Sequence, residues 1–326
     1  MIIQVVKSKH LVLNIKKILK IILPLVLGGL LVWYSISKIS IEILIDYFKE
    51  ANYTWIFLGL FFGVLSHLSR AYRWKFMLDP LGFKPKFTNS VLAVLVGYLV
   101  NLAVPRAGEV SRALVLKNYE EIPFEKGFGT IVAERIADLI MMLCIILITL
   151  FVQFDFIYEL LTKNFNPTKI IIGLAILIIA FYILTSIIKK AKSGFLLKIK
   201  TFVSGLIEGV TSIFKMKKKW AFIFHTLFIW AMYVAMFWAT IPAIEGLEVP
   251  LGGILIGFIA GGFSIAATNG GIGLYPIAVA GALALFDIPA EPATAFGWIM
   301  WTAQTAMIIV FGGLAFLFLP IYNKDK

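Results

Sequence analysis

The chain has 326 residues, of which 60% are apolar, and it combines a mean hydropathy of +0.94 with a formal net charge of +12. Soluble globular domains contain ~45–50% apolar residues, so this composition excludes a soluble globular domain. It predicts an all-α integral membrane protein. The basic residues lie in short connections between apolar segments, which indicates membrane topology rather than nucleic-acid binding. Cys144 is the single cysteine and the three histidines lack metal-ligand spacing, so we expect no intrachain disulfide, no metal and no cofactor.

The first predicted elements are a basic segment, 1–17, and the apolar run that follows it. The run is longer than the apolar core of a secretory signal, and we interpret it as an uncleaved first span. We therefore predict a cytoplasmic N-terminus over 1–17, a single polytopic membrane domain over 18–320 and a cytoplasmic tail over 321–326. Six segments approach or exceed the ~20 apolar residues of a crossing helix: 18–37, 54–76, 128–152, 169–188, 220–242 and 294–319.

The first of two breaks in the apolar pattern follows the second predicted span. Arg106, Glu109 and Arg112 recur every third residue, so they lie along one side of a helix that Pro105 is predicted to start. The N-terminus of such a helix suits an anion such as a lipid phosphate, and the alternative is a cytoplasmic turn whose arginines reach lipid headgroups. The candidate binding residues of this break are Asn101, Pro105, Arg106, Gly108, Glu109 and Arg112.

The third predicted span carries three charged residues, Glu134, Arg135 and Asp138. Glu134 and Asp138 are four residues apart and share a helix face. Ionised side chains at bilayer depth cost at least ~2.5–3.5 kcal/mol on insertion scales, so they need a reason. Two interpretations stay open, an ion-pair cluster that pins helices together and a polar lining that meets a charged headgroup. For Arg70 and Arg73, at the end of the second span, we favour a cytoplasmic anchor.

The connection 189–219 holds nine lysines and one acidic residue, which predicts a cytoplasmic loop. The acidic connections around 155 and 245 are predicted to lie outside. The charge pattern as a whole places both termini in the cytoplasm and the protein in the cell membrane.

The second break contains three glycines in four residues, next to Asn269. Such a turn exposes backbone and admits positive φ angles, whereas tight helix packing is the alternative. Gln304, in the last span, either completes a polar lining or forms an interhelical hydrogen bond. The candidate residues here are Asn269, Gly270, Gly271, Gly273 and Gln304.

The two breaks lie in intervals whose ends must return to the side where they began. Residues 88–126 begin and end inside, and residues 251–286 begin and end outside. Each interval holds two apolar pieces, so each is a re-entrant hairpin or a pair of full crossings. We predict about six full transmembrane helices plus two re-entrant helical hairpins from opposite faces, with eight or more full spans as the alternative.

These motifs resemble the lysylphosphatidylglycerol synthase transmembrane-region family, a flippase-like membrane domain. The resemblance rests on the motif from Asn101 to Arg112, on Glu134-Arg135 with Asp138, and on Gly270-Gly271-Ile272-Gly273, and it covers about 20–320. The family usually has proline at the position of Asn269 and an acidic residue at that of Pro276, so this chain departs from the family pattern at these two positions. The aminoacyl-transferase domain of full-length members is lacking, so the resemblance implies a stand-alone membrane domain.

Two classes of function follow from the residues and the resemblance. The first is a lipid flippase or transporter that moves a phospholipid or isoprenoid-phosphate headgroup through a polar cavity between the two breaks. The second is a membrane-embedded transferase that acts on a lipid-linked sugar or headgroup, and a non-catalytic accessory role is a further alternative. No nucleotide-binding or catalytic motif is recognised, so no catalytic residue is assigned. Membrane lipids are the expected partners, with a lipid-modifying enzyme or a second copy left open.

Overall fold

The computed structural model describes residues 26–324, except 38, 105, 165–166, 191–192, 195, 198, 201–203 and 205–215. The predicted segment 1–17, the first part of the first span, Pro105 and most of the lysine-rich loop lie outside the described residues. Within them the regular structure is helical: α1 Val26–Ile36, α2 Ile41–Glu50, α3 Tyr53–Leu78, α4 Phe87–Ala103, α5 Ala107–Glu120, α6 Phe124–Val152, α7 Phe154–Asn164, α8 Pro167–Lys190, α9 Lys219–Thr240, α10 Leu251–Ala267, α11 Leu274–Ala284 and α12 Ala290–Tyr322.

The prediction of an all-α membrane protein is confirmed. Among the described residues, four helices are long and apolar enough to cross a membrane, namely α3, α6, α9 and α12, and the bent pair α1–α2 makes a fifth if it is counted as one span. These four coincide with predicted spans, and predicted span 169–188 falls within α8. The last helix reaches Tyr322, two residues past the predicted end of the membrane domain at 320. Phe151, Leu147 and Leu317 are among the large apolar side chains that face outward, as contact with lipid requires.

The long helices α3 and α9 form a close antiparallel pair. Two glycines of α3 allow the approach, because a Cβ on Gly59 would overlap the side chain of Thr240 and a Cβ on Gly63 would come 3.0 Å from Met236. At the other end of the pair, Arg73 of α3 donates to Thr226 of α9. The C-terminal end of α3 therefore lies beside the N-terminal half of α9.

Both breaks form helical hairpins. In the first hairpin, α4 packs antiparallel to α5, with Gly97 against Arg112 and Asn101 against Gly108. In the second hairpin, α10 packs antiparallel to α11, with Gly261 against Tyr275. Their helices have 17, 14, 17 and 11 residues, all below the ~20 needed to cross a bilayer. These lengths favour re-entrant hairpins over pairs of full crossings.

The antiparallel arrangement of α3 and α9 fixes where the hairpins enter. The first hairpin begins just after the C-terminal end of α3, and the second begins just after the C-terminal end of α9. Because these ends are opposite, the hairpins enter from opposite faces, as the charge pattern predicts. Their tips meet: a Cβ on Gly270 would come 2.7 Å from Leu102. Helix α12 lies along both hairpins, with Gly297 against Pro276 and Gly312 against Leu99.

Candidate functional site

A cavity of about 610 Å³ lies where the two hairpin tips meet. The first tip contributes Asn101, Leu102 and Arg106, and the second contributes Asn269 and Gly270. Four crossing helices supply the walls. Their polar lining residues are His67 and Arg70 from α3, Arg135 and Asp138 from α6, Trp230 and Tyr233 from α9, and Trp301, Gln304 and Thr305 from α12.

One side of the cavity is a buried cluster of charges that joins α3 to α6. Arg70 Nη1 donates to Glu134 Oε1 and, at 2.7 Å, to Asp138 Oδ2. Arg73 Nη2 donates to Asp138 Oδ1 at 3.1 Å. Glu134 and Arg73 are fully buried, and Arg70 is 3% exposed. The carboxylates spaced four apart thus share a helix face, as the sequence predicts, and they also share Arg70 as a partner. The interpretation of the two arginines as a cytoplasmic anchor is wrong, because their guanidinium groups point inward to carboxylates of another helix.

Arg112 belongs to the same cluster and does not line the cavity. Its Nη1 and Nη2 donate to the two oxygens of Glu134 at 3.1 and 3.0 Å, a bidentate pair. Its guanidinium also lies over the ring of Trp74, 4.3 Å from the centroid. The two terminal nitrogens of Arg112 therefore hold α5 against α6, and its stacking on Trp74 holds α5 against α3, away from the cavity. Glu134 is likewise withdrawn behind the cavity wall.

Arg135 completes the cluster on the cavity side. Its Nη2 donates to Glu134 at 2.8 Å and lies 3.2 Å from Asp138, and its side chain is 42% exposed. Four guanidinium groups, those of Arg70, Arg73, Arg112 and Arg135, therefore face the two carboxylates. The cluster carries two excess positive charges between packed helices. Burying unpaired charge costs several kcal/mol per ion, so the excess favours an anion in the cavity.

The tip of the first hairpin differs from the predicted helix start. Helix α5 begins at Ala107, and Arg106 precedes it with a left-handed backbone, φ 59°. The N–H of Gly108 already donates to Asn101 Oδ1 at 2.7 Å, so this helix N-terminus is partly occupied by the chain itself. Arg106 and Glu109 do line the cavity, and Glu109 Oε2 is a buried oxygen without a hydrogen-bond partner among the described residues.

The tip of the second hairpin is the predicted glycine turn. Gly270, Gly271 and Gly273 have φ angles of 61°, 81° and 69°, which disfavour residues with a Cβ. Trp301 Nε1 donates to the carbonyl of Gly270 at 2.8 Å and fixes the tip to α12. Asn269 and Gly270 reach the cavity, together with Gln304, whose Nε2 donates to the Met300 carbonyl at 3.2 Å.

The other two glycines of this turn serve packing. A Cβ on Gly271 would come 3.0 Å from Tyr275, and one on Gly273 would come 2.6 Å from the backbone of Val32 in α1. Gly270 therefore lines the cavity, whereas Gly271 and Gly273 allow close packing.

Three further side chains of the cavity were not predicted. Tyr233 accepts from Arg70 Nη2 at 3.4 Å and lies 3.2 Å from the hydroxyl of Tyr98. His67 stacks near Tyr98, 4.5 Å between ring centroids, and neither of its nitrogens has a partner among the described residues. A signal was available, because His67, Arg70 and Trp74 recur at spacings of three and four and mark one face of α3.

No group of three or more His, Cys, Asp and Glu within the described residues could hold a metal ion. The site is instead an arginine-rich cavity inside a multi-pass membrane protein, at the meeting point of two opposed hairpins.

The family described as lysylphosphatidylglycerol synthase TM region matches residues 21–313. The chain belongs to this family, as the motifs of the two breaks predict.

Curated relatives agree with a membrane domain. A UPF0104 membrane protein of Methanocaldococcus jannaschii is 31% identical over 125 residues, which is 37% of each chain. A UPF0104 membrane protein of Pyrococcus horikoshii is 25% identical over 199 residues, 60% of this chain and 56% of that one. The glycosyltransferase AglD of Haloferax volcanii is 35% identical over 78 residues, 24% of this chain and 12% of its own length. The matches therefore cover about half or less of these relatives, and no solved structure matches.

Proposed function

We propose that the protein is a lipid flippase or transporter that moves a phospholipid or isoprenoid-phosphate headgroup across the cell membrane. The observation that carries the proposal is the cavity at the hairpin tips, about 610 Å³ in volume, with arginines on its wall. A headgroup would enter the cavity while its apolar chains stay in the lipid beside the outward-facing side chains of the helices.

The position of the cavity supports transport. The hairpins enter from opposite faces and meet at their tips, and such paired breaks surround the substrate site of several transporter folds. In this proposal one hairpin would lie between the headgroup and each side of the membrane. Movement of either hairpin against α12, which touches both, would open the cavity to one side at a time.

A transferase is the second candidate, favoured by the partial similarity to a glycosyltransferase. Asp138 and Glu109 are the carboxylates that line the cavity. Asp138 is paired with Arg70 and Arg73, and a carboxylate held as an anion by two guanidinium groups is a weak general base. Glu109, whose Oε2 has no partner among the described residues, is the carboxylate left to a transferase, and we place transport first on the geometry of the opposed hairpins and the cavity between them.

Blocking the cavity tests the proposal. Ala266 lines it, and Ala266→Trp would fill part of its volume without changing any charged residue. Leu147→Trp, on the outward face of α6, is the matched control. In vesicles reconstituted with purified protein and a trace of acyl-labelled lipid, we expect transbilayer movement to fall at least tenfold in Ala266→Trp and to stay at the wild-type rate in Leu147→Trp.

Wild-type movement in the Ala266→Trp variant would contradict the proposal, provided that the variant elutes as a folded, monodisperse protein. Lipid that stays in its leaflet but changes mass when wild-type protein is given a lipid-linked sugar would support the transferase instead. The cell-membrane location, the cytoplasmic termini and a lipid-modifying enzyme or second copy as partner stay predictions.

A further inference from the structure

We infer that the headgroup taken up by this cavity is a phosphate monoester, which at pH 8 is a dianion, carried on an apolar chain. The inference rests on the proposed function, and it narrows the substrate from lipids in general to lipid phosphomonoesters. Its basis is the charge of the cavity wall, the hydrogen-bond donors that lack partners and an apolar cavity next to the first.

The charge of the wall selects the charge of the ligand. Arg106 and Glu109, at the first hairpin tip, offset one another, so the two excess positive charges of the cluster of Arg70, Arg73, Arg112, Arg135, Glu134 and Asp138 are not compensated within the described residues. A phosphate monoester carries about −1.5 to −2 near pH 7 and would neutralise both. A phosphodiester headgroup brings one negative charge, a zwitterionic headgroup brings none, and an aminoacylated headgroup adds positive charge.

The donors of the wall match the acceptors of such a ligand. A phosphate monoester has three terminal oxygens that accept strong hydrogen bonds. Arg135 meets both of its carboxylates through Nη2, and its other nitrogens form no hydrogen bond or salt bridge with the described residues. His67 is 8% exposed, and within the part of the chain that the structure describes neither of its ring nitrogens nor the buried Trp230 Nε1 has a hydrogen-bond partner. Buried polar groups are normally satisfied, so these donors indicate a ligand with several acceptor oxygens.

A second cavity, of about 230 Å³, adjoins the first between α3, α4 and α12. The two share His67, Tyr98, Met307 and Ile308 in their walls, and the remaining lining of the second is apolar, including Leu95 and Phe311. The part of a hydrocarbon chain next to the phosphate would lie there against apolar side chains, while the rest of the chain stays in the surrounding lipid. Free inorganic phosphate would leave this cavity unused, so the pair of cavities favours a lipid-borne phosphate.

The test compares lipids that share acyl chains and differ only in the headgroup, at pH 8. Phosphatidic acid is the monoester, phosphatidylglycerol the diester and phosphatidylcholine the zwitterion. We expect wild-type protein in reconstituted vesicles to move phosphatidic acid at least tenfold faster than phosphatidylglycerol. Each lipid is also added to protein in micelles, where the monoester should raise the unfolding midpoint most, since a ligand of the folded state stabilises it.

Variants of Arg135, the most exposed arginine of the cluster, separate the effect of charge on lipid preference from an effect on folding. Arg135→Gln removes one excess charge and should bring the ratio of monoester to diester movement close to one. Arg135→Lys keeps the charge and should retain most of the preference. Lys117→Gln removes a cation from the exposed surface of α5, outside the cavity, and should leave the ratio unchanged.

The possible results distinguish the transport proposal from the inference of a phosphate monoester. Equal or faster movement of the diester or the zwitterion would overturn the monoester inference and leave the transporter in place. Absence of movement for all lipids, with selective stabilisation by phosphatidic acid, would overturn the transport proposal and support the ligand class. Stabilisation by millimolar inorganic phosphate equal to that by phosphatidic acid would refute the lipid-borne ligand and indicate a site for free phosphate.

Discussion

Glu134 is the residue whose charge the buried cluster depends on most. Its side chain is fully buried, and it accepts from both terminal nitrogens of Arg112, from Arg135 and from Arg70. Glu134→Gln keeps the shape but turns an NH₂ group toward guanidinium donors and raises the excess positive charge from two to three. Removing one partner of a buried pair costs about 3–5 kcal/mol. We expect the free energy of unfolding to fall by about this amount.

The assay is thermal unfolding in detergent micelles, read as loss of monodisperse protein, with Glu109→Gln as the matched control. Glu109 undergoes the same chemical change, but among the described residues its carboxylate forms no salt bridge, and it contributes through the first turn of α5. Acidic residues in the first turn stabilise a helix by ~0.3–1 kcal/mol through the helix dipole. An equal loss in both variants, or a loss under 1 kcal/mol in Glu134→Gln, would refute the view that paired charges hold the helices together.

Three further predictions concern packing and geometry, each measured by the same unfolding assay. Gly97→Ala should destabilise by about 1–3 kcal/mol, since its Cβ would come 2.7 Å from Arg112. Gly129→Ala, with open space around it, should change stability by under 1 kcal/mol, and a loss equal to that of Gly97→Ala would count against close hairpin packing. Arg112→Lys loses the bidentate pairing with Glu134 and should lower the free energy of unfolding by about 1–3 kcal/mol. Unchanged stability would mean that the bidentate geometry does not contribute. Trp301→Phe leaves the carbonyl of Gly270 without this donor and should lower the free energy of unfolding by about 1–3 kcal/mol. No loss would mean that other contacts hold the tip of the second hairpin.

The fold was largely predictable because lipid imposes simple rules. Pro105 and the glycines 270, 271 and 273 predicted two breaks, since backbone groups that leave a helix need partners that lipid does not offer. The charges of the connections then predicted that the first hairpin begins and ends inside and the second begins and ends outside, so that the two enter from opposite faces. The structure adds the antiparallel packing of α3 on α9, which rests on close contacts such as that of the Gly59 backbone with the Thr240 side chain, and no periodicity in the sequence reveals them.

The site was less predictable, because its pairs join distant parts of the chain. Arg70 lies at the end of a span, where arginine normally marks the cytoplasmic side, and its partners Glu134 and Asp138 are more than sixty residues away. Arg112 has the spacing of a phosphate ligand, yet its partner is Glu134. Sequence identified most of the charged residues of the site, and only the fold decides which face the cavity.

The measurement that tests the central claim most directly is protection of a cavity residue by lipid. Cys144 is the single cysteine, so Cys144→Ala gives a background in which Thr305→Cys, in the cavity wall, or Glu245→Cys, on the exposed surface, can be alkylated alone. If a lipid headgroup occupies the cavity, phosphatidic acid should slow alkylation at position 305 at least tenfold and leave position 245 unaffected. Equal alkylation rates at position 305 with and without every lipid, in folded protein, would contradict the claim that this cavity holds a headgroup.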